Sequence, residues 1–400
     1  MAPTDWPIRT VGDLVTLQRG IDLPDAERHE GSVPIMGSFG ITGRHNVAAC
    51  IGPGVTVGRS GASIGVVSYI KEDYWPLNTC LYVRDFHGNS PRFTYYFLKT
   101  LDLARLNSGS AQPSLNRNFV HPVPVAFPAR PEQDTIASIL GALDDKIGLN
   151  RRMNGTLEAM ARAIFRDWFV DFGPTRAKIE GRAPYLAPEI WAVFPDRVDD
   201  EGRPVGWNGS FVGSEFKLTM GQSPPGSTYN DIGDGLPFFQ GSTDFGVRYP
   251  NRRIFCNAAT RIAEPDDTLV SVRAPVGSLN MAWERCCIGR GVAAVRHRLG
   301  HRGYTYYAMS HLQPALEAFE HTGTVFGAIN KAQFESLRIA SPDHQVIGVF
   351  EEVVSSLDER VRSNELECAT LIDSRDLLLS KLMSGEIRVK DAEKIAEMAA

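Results

Sequence analysis

Several residues have side chains that can take part in catalysis, but their spacing matches few catalytic patterns. Asp196, followed by Glu215 and Lys217, resembles the carboxylate and lysine pattern of nucleases that hold Mg²⁺. His297 and His301 have a spacing that can place two imidazoles on one helix face, but the nearby glycines break a helix there, so we interpret both as surface or phosphate-facing residues. The sequence contains no Gly-Lys pair, which excludes a P-loop nucleotide site.

A second group of side chains is suited to recognition, and it occurs in both halves of the chain. Arginine pairs with guanine, and asparagine or glutamine with adenine, in the DNA major groove; serine, threonine and lysine commonly position phosphates. The predicted DNA contacts are Arg59, Ser60, Ser110, Gln112, Asn116, Arg117 and Asn118 in the first half, and Arg273, Thr324, Asn330 and Lys331 in the second.

These two groups lie in a chain that is an internal repeat. Trp6 and Val11 recur as Trp207 and Val212, displaced by 201 positions. Further along, the displacement is 214, and it stays at 214 from Asn116 and Asn330 to the ends of both copies. The difference predicts a longer loop, by 13 residues, in the second copy.

Each copy has two parts of different character. The first part is rich in Gly and Pro, with short β-branched runs and locally helical stretches, so it is predicted to mix α and β structure. The second part has an apolar residue every three or four positions and predicts a helix of about 60 Å with a narrow apolar stripe. We expect each long helix to pack on the other through Leu143, Ile147, Asn150, Leu157, Leu357, Val361, Asn364 and Leu371. Asn150 and Asn364 interrupt the two seams at the same place, which would fix register.

The resulting fold class is α+β, with two globular α/β domains and two long helices. The predicted boundaries are a first domain at 1–130, a central helix at 131–172, a linker at 173–209, a second domain at 210–342, a C-terminal helix at 343–390 and a tail at 391–400.

Composition limits the function further. The chain has 42 Lys+Arg and 47 Asp+Glu, a net charge of -5, which excludes a generally basic coat but not a local basic surface. The six cysteines form no C-x-x-C motif, so reduced thiols are expected. No stretch approaches eighteen consecutive apolar residues and the N-terminus lacks an apolar core, so we expect a cytoplasmic protein without membrane segments.

The motifs taken in order resemble the DNA-specificity subunit of Type I restriction-modification systems. The resemblance covers nearly the whole chain. It depends on two Trp-x-x-x-x-Val-Gly segments and on the run Met220-Gly-Gln-Ser-Pro-Pro225. It also depends on the helix segments Leu143-Asp-Asp-Lys-Ile147 and Leu357-Asp-Glu-Arg-Val361.

This resemblance implies two target-recognition domains, each reading one half of a split double-stranded DNA sequence, with the helices packed as an antiparallel coiled coil that sets the gap. Two DNA adenine methyltransferase subunits and an ATP-dependent restriction subunit would dock on the chain. S-adenosylmethionine, ATP and Mg would then belong to those partners, and the chain itself would need no cofactor or metal and have no catalytic residues.

Two alternatives stay open at this point. One is a stand-alone metal-dependent nuclease that uses Asp196, Glu215 and Lys217. The other is a structural coiled-coil scaffold without affinity for DNA.

Overall fold

The computed structural model describes residues 6–108, 113–321, 327–387 and 389 of the chain. The chain divides into two compact units: unit 1 comprises residues 1–149 and 367–400, and unit 2 comprises residues 150–366. Two helices of 40 residues, Arg130–Phe169 and His344–Met383, each contribute to both units. No helix among the described residues is long and apolar enough to cross a membrane.

The helices are α1 (Val11–Leu14), α2 (Pro91–Thr100), α3 (Arg117–Val120), α4 (Arg130–Phe169), α5 (Gly173–Ile179), α6 (Pro188–Ala192), α7 (Val212–Glu215), α8 (Arg302–Glu317), α9 (Lys331–Glu335) and α10 (His344–Met383). The strands in the first half are β1 (Ile8–Thr10), β2 (Thr16–Arg19), β3 (Val33–Gly37), β4 (Gly40–His45), β5 (Gly54–Gly58), β6 (Val67–Ile70), β7 (Trp75–Pro76), β8 (Cys80–Asp85) and β9 (Pro124–Ala126). Those in the second half are β10 (Asn208–Phe211), β11 (Phe216–Met220), β12 (Tyr229–Asn230), β13 (Leu236–Phe239), β14 (Phe255–Cys256), β15 (Ile262–Ala263), β16 (Thr268–Ser271), β17 (Leu279–Met281), β18 (Cys286–Ile288), β19 (Val292–His297) and β20 (Arg338–Ser341).

Unit 1 is built on two small sheets and a closing strand pair. The first sheet is antiparallel, in the order β2-β8-β5-β6. The second has the order β4-β3-β7, with β3 antiparallel to β4 and parallel to β7. Strands β1 and β9 pair with each other. The alternating apolar residues of β5 and β8 pack under α2 and against the first half of α4, and together they form the core of unit 1.

Unit 2 repeats this plan and adds two strands, β12 and β15, at the edges of its second sheet. Its antiparallel sheet has the order β11-β19-β16-β17, its second sheet contains β14-β13-β18 with the same antiparallel and parallel pairings, and β10 pairs with β20. The repeat is therefore one of topology as well as sequence. Equivalent backbone hydrogen bonds match Met36 with Phe239, a displacement of 203 positions between the copies. They match Gly58 with Ser271, a displacement of 213 positions. Most of the longer loop predicted for the second copy thus lies between β13 and β16.

The two long helices pack antiparallel within each unit. In unit 1, the Cys368 thiol contacts the Ile147 carbonyl and Arg375 bonds to Asp144. In unit 2, Asn364 bonds to Asn154. The predicted α+β fold with an internal repeat and an antiparallel helix pair is confirmed.

The seam differs in detail from the predicted one. Leu143, Ile147, Val361 and Leu371 are at most 3% exposed. Leu157 and Leu357 are half-buried, because the carboxylates of Glu158 and Asp358 occupy the buried positions beside them.

The buried asparagine pair also differs from the predicted one, because Asn364 pairs with Asn154, one helical turn beyond Asn150. Asn150 and Asn364 are each 1% exposed, but Asn364 Nδ2 donates to Asn154 Oδ1 at 2.7 Å, and Asn154 Nδ2 donates to Glu365 Oε1 at 2.7 Å. In an antiparallel pair, repeat-related residues face each other only at the symmetry axis, which is why Asn364 meets Asn154, four residues from its counterpart Asn150 in the sequence.

We expect the Asn154–Asn364 pair to specify register at a cost in stability. Asn364→Leu alone should lower the unfolding midpoint, because it leaves the buried Asn154 oxygen without its donor. Asn154→Leu combined with Asn364→Leu should recover the loss and exceed the parent, since a polar layer becomes apolar. Thermal unfolding of the parent, both single variants and the double variant measures the coupling. If the change in the unfolding midpoint of the double variant equals the sum of the changes in the two single variants, the pairing of Asn154 with Asn364 is contradicted.

The segment predicted as a linker is part of unit 2. It contains α5 and α6, and its Phe194 and Trp207 are each 3% exposed. Phe194 packs edge-on against Trp168 with ring centroids 5.0 Å apart, and Trp207 stacks on Phe169 at 5.8 Å. Aromatic burial of this size orders the segment on the end of α4.

His297 is a core residue of unit 2 and not a surface or phosphate-facing one. It is 2% exposed and packs against Phe216 and Tyr304. Its Nδ1 accepts the Leu299 N–H at 3.3 Å, which requires that nitrogen to be unprotonated. Burial, together with the smaller effect of the neighbouring His301, lowers the pKa of His297 to about 4.

This pKa predicts that unit 2 loses stability on acidification. Between the unfolded pKa of about 6.5 and the folded value of about 4, the unfolded chain binds more protons, so the free energy of unfolding falls as pH falls through that window. Above about pH 6.5 the histidine is neutral in both the folded and the unfolded chain, so it no longer lowers the free energy of unfolding. Thermal unfolding from pH 7.5 to 5 should show a slope that His297→Gln reduces. An unaltered slope in His297→Gln would refute the assignment.

Candidate nucleic-acid interface

The predicted contact residues lie in two corresponding loop regions, one in each unit. Arg59 and Ser60 directly follow β5, and Arg273 follows β16. Ser110, Gln112 and Thr324 lie outside the described residues. The contacts of all these residues with DNA stay predictions.

Arg59 and Arg273 do not occupy equivalent positions. The Arg59 carbonyl accepts the Leu115 N–H at 2.7 Å, whereas in unit 2 the Val272 carbonyl accepts the equivalent Ile329 N–H at 3.1 Å. Arg273 therefore corresponds to Ser60, and both residues form the matching β-bridge, with Ala328 and Ser114 respectively. A shift of one residue in extended backbone turns the side chain to the other face. Arg59 is half-buried and its Nη1 donates to the Asn78 carbonyl at 3.3 Å, while Arg273 is exposed.

Asn116 and Asn330 cap equivalent short helices. The Asn116 oxygen accepts the Asn118 N–H at 3.0 Å at the start of α3, and the Asn330 oxygen accepts the Gln333 N–H at 3.0 Å at the start of α9. The side chains of Arg117, Asn118 and Lys331 lie on the exposed first turns of these helices, where Lys331 pairs with Glu335 at 3.5 Å. The caps account for the recurrence of asparagine, and the exposed turns remain able to contact DNA.

Unit 2 has a basic cleft of about 360 Å³ at the Arg273 loop. It is lined by Gln240, Gly241, Thr243, Asp244, Arg253, Arg273, Ala274, Arg290 and Gly291. Arg253 Nε pairs with Asp244 Oδ1 at 2.8 Å. Arg273 and Arg290 form no ion pair with any described residue, so two guanidinium groups remain available to an anionic or acceptor-rich ligand.

Sequence reasoning missed Gln240, Arg253 and Arg290. Arg290 stands between two glycines, a turn signal that was present in the sequence. Gln240 begins the longer loop of the second copy, and nothing local marked it as a cleft residue.

A second charge cluster lies in the interior of unit 2. Arg248, in the longer loop, is 1% exposed. Its Nη2 donates to Asp358 Oδ1 at 2.8 Å, its Nη1 donates to Glu158 Oε1 at 3.4 Å, and its guanidinium lies 3.4 Å from the centre of the Tyr306 ring. Tyr307 Oη also donates to Asp358 Oδ1, at 2.7 Å. Burial raises the pKa of Glu158, although the Arg248 charge opposes this. The cluster ties the longer loop to both long helices.

Unit 1 has a related but more exposed arrangement. Asp144, displaced by 214 from Asp358, accepts the Tyr96 hydroxyl at 2.5 Å and Arg375 Nη1 at 2.8 Å. Burial raises the pKa of Tyr96, and its bond to Asp144 raises it further. Here the arginine comes from α10 itself, because unit 1 has a two-residue turn where unit 2 has the longer loop.

The residues of the nuclease alternative have separate local partners. Asp196 pairs with the adjacent Arg197 at 3.6 Å, and Glu215 accepts the Ser210 hydroxyl at 2.6 Å. Lys217 is exposed on β11. Within the described part of the chain, no group of three or more His, Cys, Asp or Glu side chains is placed to hold a metal ion.

Comparison with known proteins gives the class. Residues 3–159 match the family model described as the Type I restriction modification DNA specificity domain. A protein named as the type I restriction enzyme MjaX specificity subunit of Methanocaldococcus jannaschii is 30% identical over 283 residues, which cover 70% of this chain and 63% of that protein. The type I restriction enzyme HindI specificity subunit of Haemophilus influenzae is 25% identical over 344 residues, covering 71% of this chain and 73% of that protein.

A solved structure agrees in fold. The Type-I restriction-modification system S subunit from M. genitalium matches with a TM-score of 0.60 and 16% identity, over 96% of this chain and 97% of that one. The resemblance stated from the sequence is confirmed: the chain is a relative of the Type I restriction-modification specificity subunits. These relatives are named as specificity subunits, which agrees with the prediction that this chain is not itself an enzyme.

Proposed function

We propose that this protein is the non-catalytic DNA-specificity subunit of a Type I restriction-modification complex and reads a bipartite double-stranded DNA target. The observation that carries the proposal is the repeated topology. Each unit has an equivalent four-stranded sheet, the same three-strand pattern in its second sheet and the same loop pair after β5 or β16, so one chain presents two similar recognition domains with different side chains. Two similar domains on one chain suit a target made of two separated half-sites, with unit 1 and unit 2 reading one half each.

The long helices are the proposed ruler and docking surface. Each is 40 residues long and is shared by both units, so its length can set the number of unread base pairs. Each also exposes large apolar side chains: Leu149 and Met160 on α4, and Leu366 and Leu377 on α10, which are 47–54% exposed. Residues eleven apart on a helix lie near one face, so each pair can form part of a partner contact. The proposed partners are two DNA adenine methyltransferase subunits and the ATP-dependent restriction subunit.

In this proposal the partners carry out the chemistry that uses S-adenosylmethionine, ATP and Mg. This chain selects the DNA sequence and sets the distance between the two half-sites. Such a complex would act in the cytoplasm, where it meets cellular DNA.

The test is co-expression with a Type I methyltransferase subunit, followed by sequencing of methylated bases in host DNA. The expected result is adenine methylation at one interrupted sequence, which disappears when this chain is omitted. Purified protein incubated with DNA and Mg²⁺ should leave the DNA intact. Cleavage by the chain alone would support the nuclease alternative, and methylation at the same sequences without this chain would support a scaffold.

A further inference from the structure

We infer that Arg273 and Arg290 make unit 2 read guanine in its half-site, and that the equivalent Ser60 and Asn78 make unit 1 read a different base there. This inference depends on the proposed function. It assigns the specificity difference between the two units to two positions of the shared fold.

Backbone hydrogen bonds establish the equivalence of the positions. The Cys80 N–H donates to the Leu77 carbonyl and the Val292 N–H donates to the Gly289 carbonyl, both at 3.0 Å. The residues between them therefore correspond, which aligns Asn78 with Arg290. Ser60 and Arg273 correspond through their matching β-bridges.

In unit 2 both positions carry long cationic side chains. Arg273 and Arg290 are exposed and line the same cleft, together with Gln240. Because neither guanidinium is ion-paired with a described residue, binding DNA requires no internal salt bridge to break. A planar fork of donors matches the O6 and N7 acceptors of guanine in the major groove.

In unit 1 the same positions carry short, neutral side chains with partners inside the unit. Ser60 Oγ lies 3.4 Å from Ser38 Oγ, and Ser38 Oγ donates to the Thr79 carbonyl. Asn78 Nδ2 donates to the Asp22 carboxylate. Asp22 also pairs with Arg19 at 3.8 Å, so neither of the two positions in unit 1 offers guanine a free guanidinium fork.

The contrast favours base contact over phosphate contact. Phosphate contacts are independent of sequence and serve both half-sites equally, so equivalent positions would be expected to keep the same charge. Base contacts must differ wherever the two half-sites differ. Positions that are structurally equivalent but differ in charge and length are thus the expected specificity determinants.

The experiment uses the full chain in complex with its methyltransferase, on the target found by methylation sequencing. The double variant Arg273→Ser with Arg290→Asn gives unit 2 the side chains of unit 1. Affinity is measured for duplexes that carry single base-pair changes across both half-sites. We expect discrimination at one or two G·C positions of one half-site to fall roughly tenfold or more, with preferences in the other half-site unchanged.

The matched control is Arg285→Ser, an arginine of unit 2 that is 59% exposed, pairs with Glu264 and lies outside the cleft. It should keep the parent's preferences, and all variants should unfold at the parent's temperature. A uniform loss of affinity for every duplex, with a weaker salt dependence, would identify phosphate contacts and overturn the inference. Unchanged discrimination would also overturn it. Failure of the proposed function is distinguishable, because the parent complex would then show no bipartite target.

Discussion

Replacing Arg248 by alanine is expected to lower the free energy of unfolding of unit 2 by about 3–5 kcal/mol. The substitution removes a cation that is 1% exposed and leaves Glu158 and Asp358 as buried carboxylates that are only partly compensated, by Arg162 at 2.7 Å and by Tyr307. It also removes the guanidinium that packs on the Tyr306 ring. Urea unfolding followed by tryptophan fluorescence reports on this unit, because Trp168 and Trp207 lie in its core.

Two comparisons separate charge from packing. Arg252→Ala removes an exposed arginine, paired with Glu284 at 2.6 Å, and should change stability by less than about 0.5 kcal/mol. Combining Arg248→Met with Glu158→Gln and Asp358→Asn should recover most of the loss, because no unpaired charge remains buried. A loss below 1 kcal/mol for Arg248→Ala would mean that the cluster does not hold the longer loop to the helices.

Matched heptad insertions in both long helices should widen the gap between the half-sites. The insertions belong after Asn154 in α4 and after Ser363 in α10, because Asn154 and Asn364 are bonded and the insertion then keeps every seam pair. One heptad adds about 10.5 Å of helix at about 1.5 Å per residue, equal to roughly three base pairs at about 3.4 Å each. Three heptads add roughly nine base pairs, close to one turn of DNA.

The rotation of the groove makes the series informative. Three base pairs turn the groove by about a third of a circle, so a rigid single insertion should lower activity on all spacers, whereas three heptads should restore it on a longer one. The measurement is methylation by the assembled complex of targets that differ only in gap length. An insertion of five residues, which takes the seam out of phase, is the control for disrupted packing. An unchanged preferred gap with full activity would contradict the ruler.

The repeat and the long helices could be predicted because both leave regular signals in the sequence. A fixed displacement and a heptad period extend over many residues and survive local irregularity. Helix packing at Leu143 or Val361 follows from that period. The buried positions of Glu158 and Asp358 do not, since their burial depends on Arg248, which approaches from a loop about 90 residues from one and 110 from the other.

The candidate interface was predictable as a region but not residue by residue. Arg59 and Arg273 follow equivalent strands and are of the same type, but they stand one residue out of register, and it is the hydrogen bonds of Leu115 and Ile329 that show this. Arg290 comes to the same cleft as Arg273 through pairing of β16 with β19, a non-local contact. The prolines of the segment at 173–209 predicted a linker, whereas its aromatic residues Phe194 and Trp207 decide how it packs.

The division of the chain also governs how it folds during synthesis. The core of unit 1 includes Leu371, Leu378 and Leu382 of α10, which follow the whole of unit 2 in the sequence. At about 5–20 residues per second, more than 200 residues between Leu149 and Glu367 take roughly 10–40 s to translate. Throughout that time the apolar residues Leu140, Leu143 and Ile147 of α4 cannot pack against the end of α10, because it has not yet been synthesised. Unit 2 can close first, so we expect the nascent N-terminal unit to be the more prone to aggregate before synthesis ends.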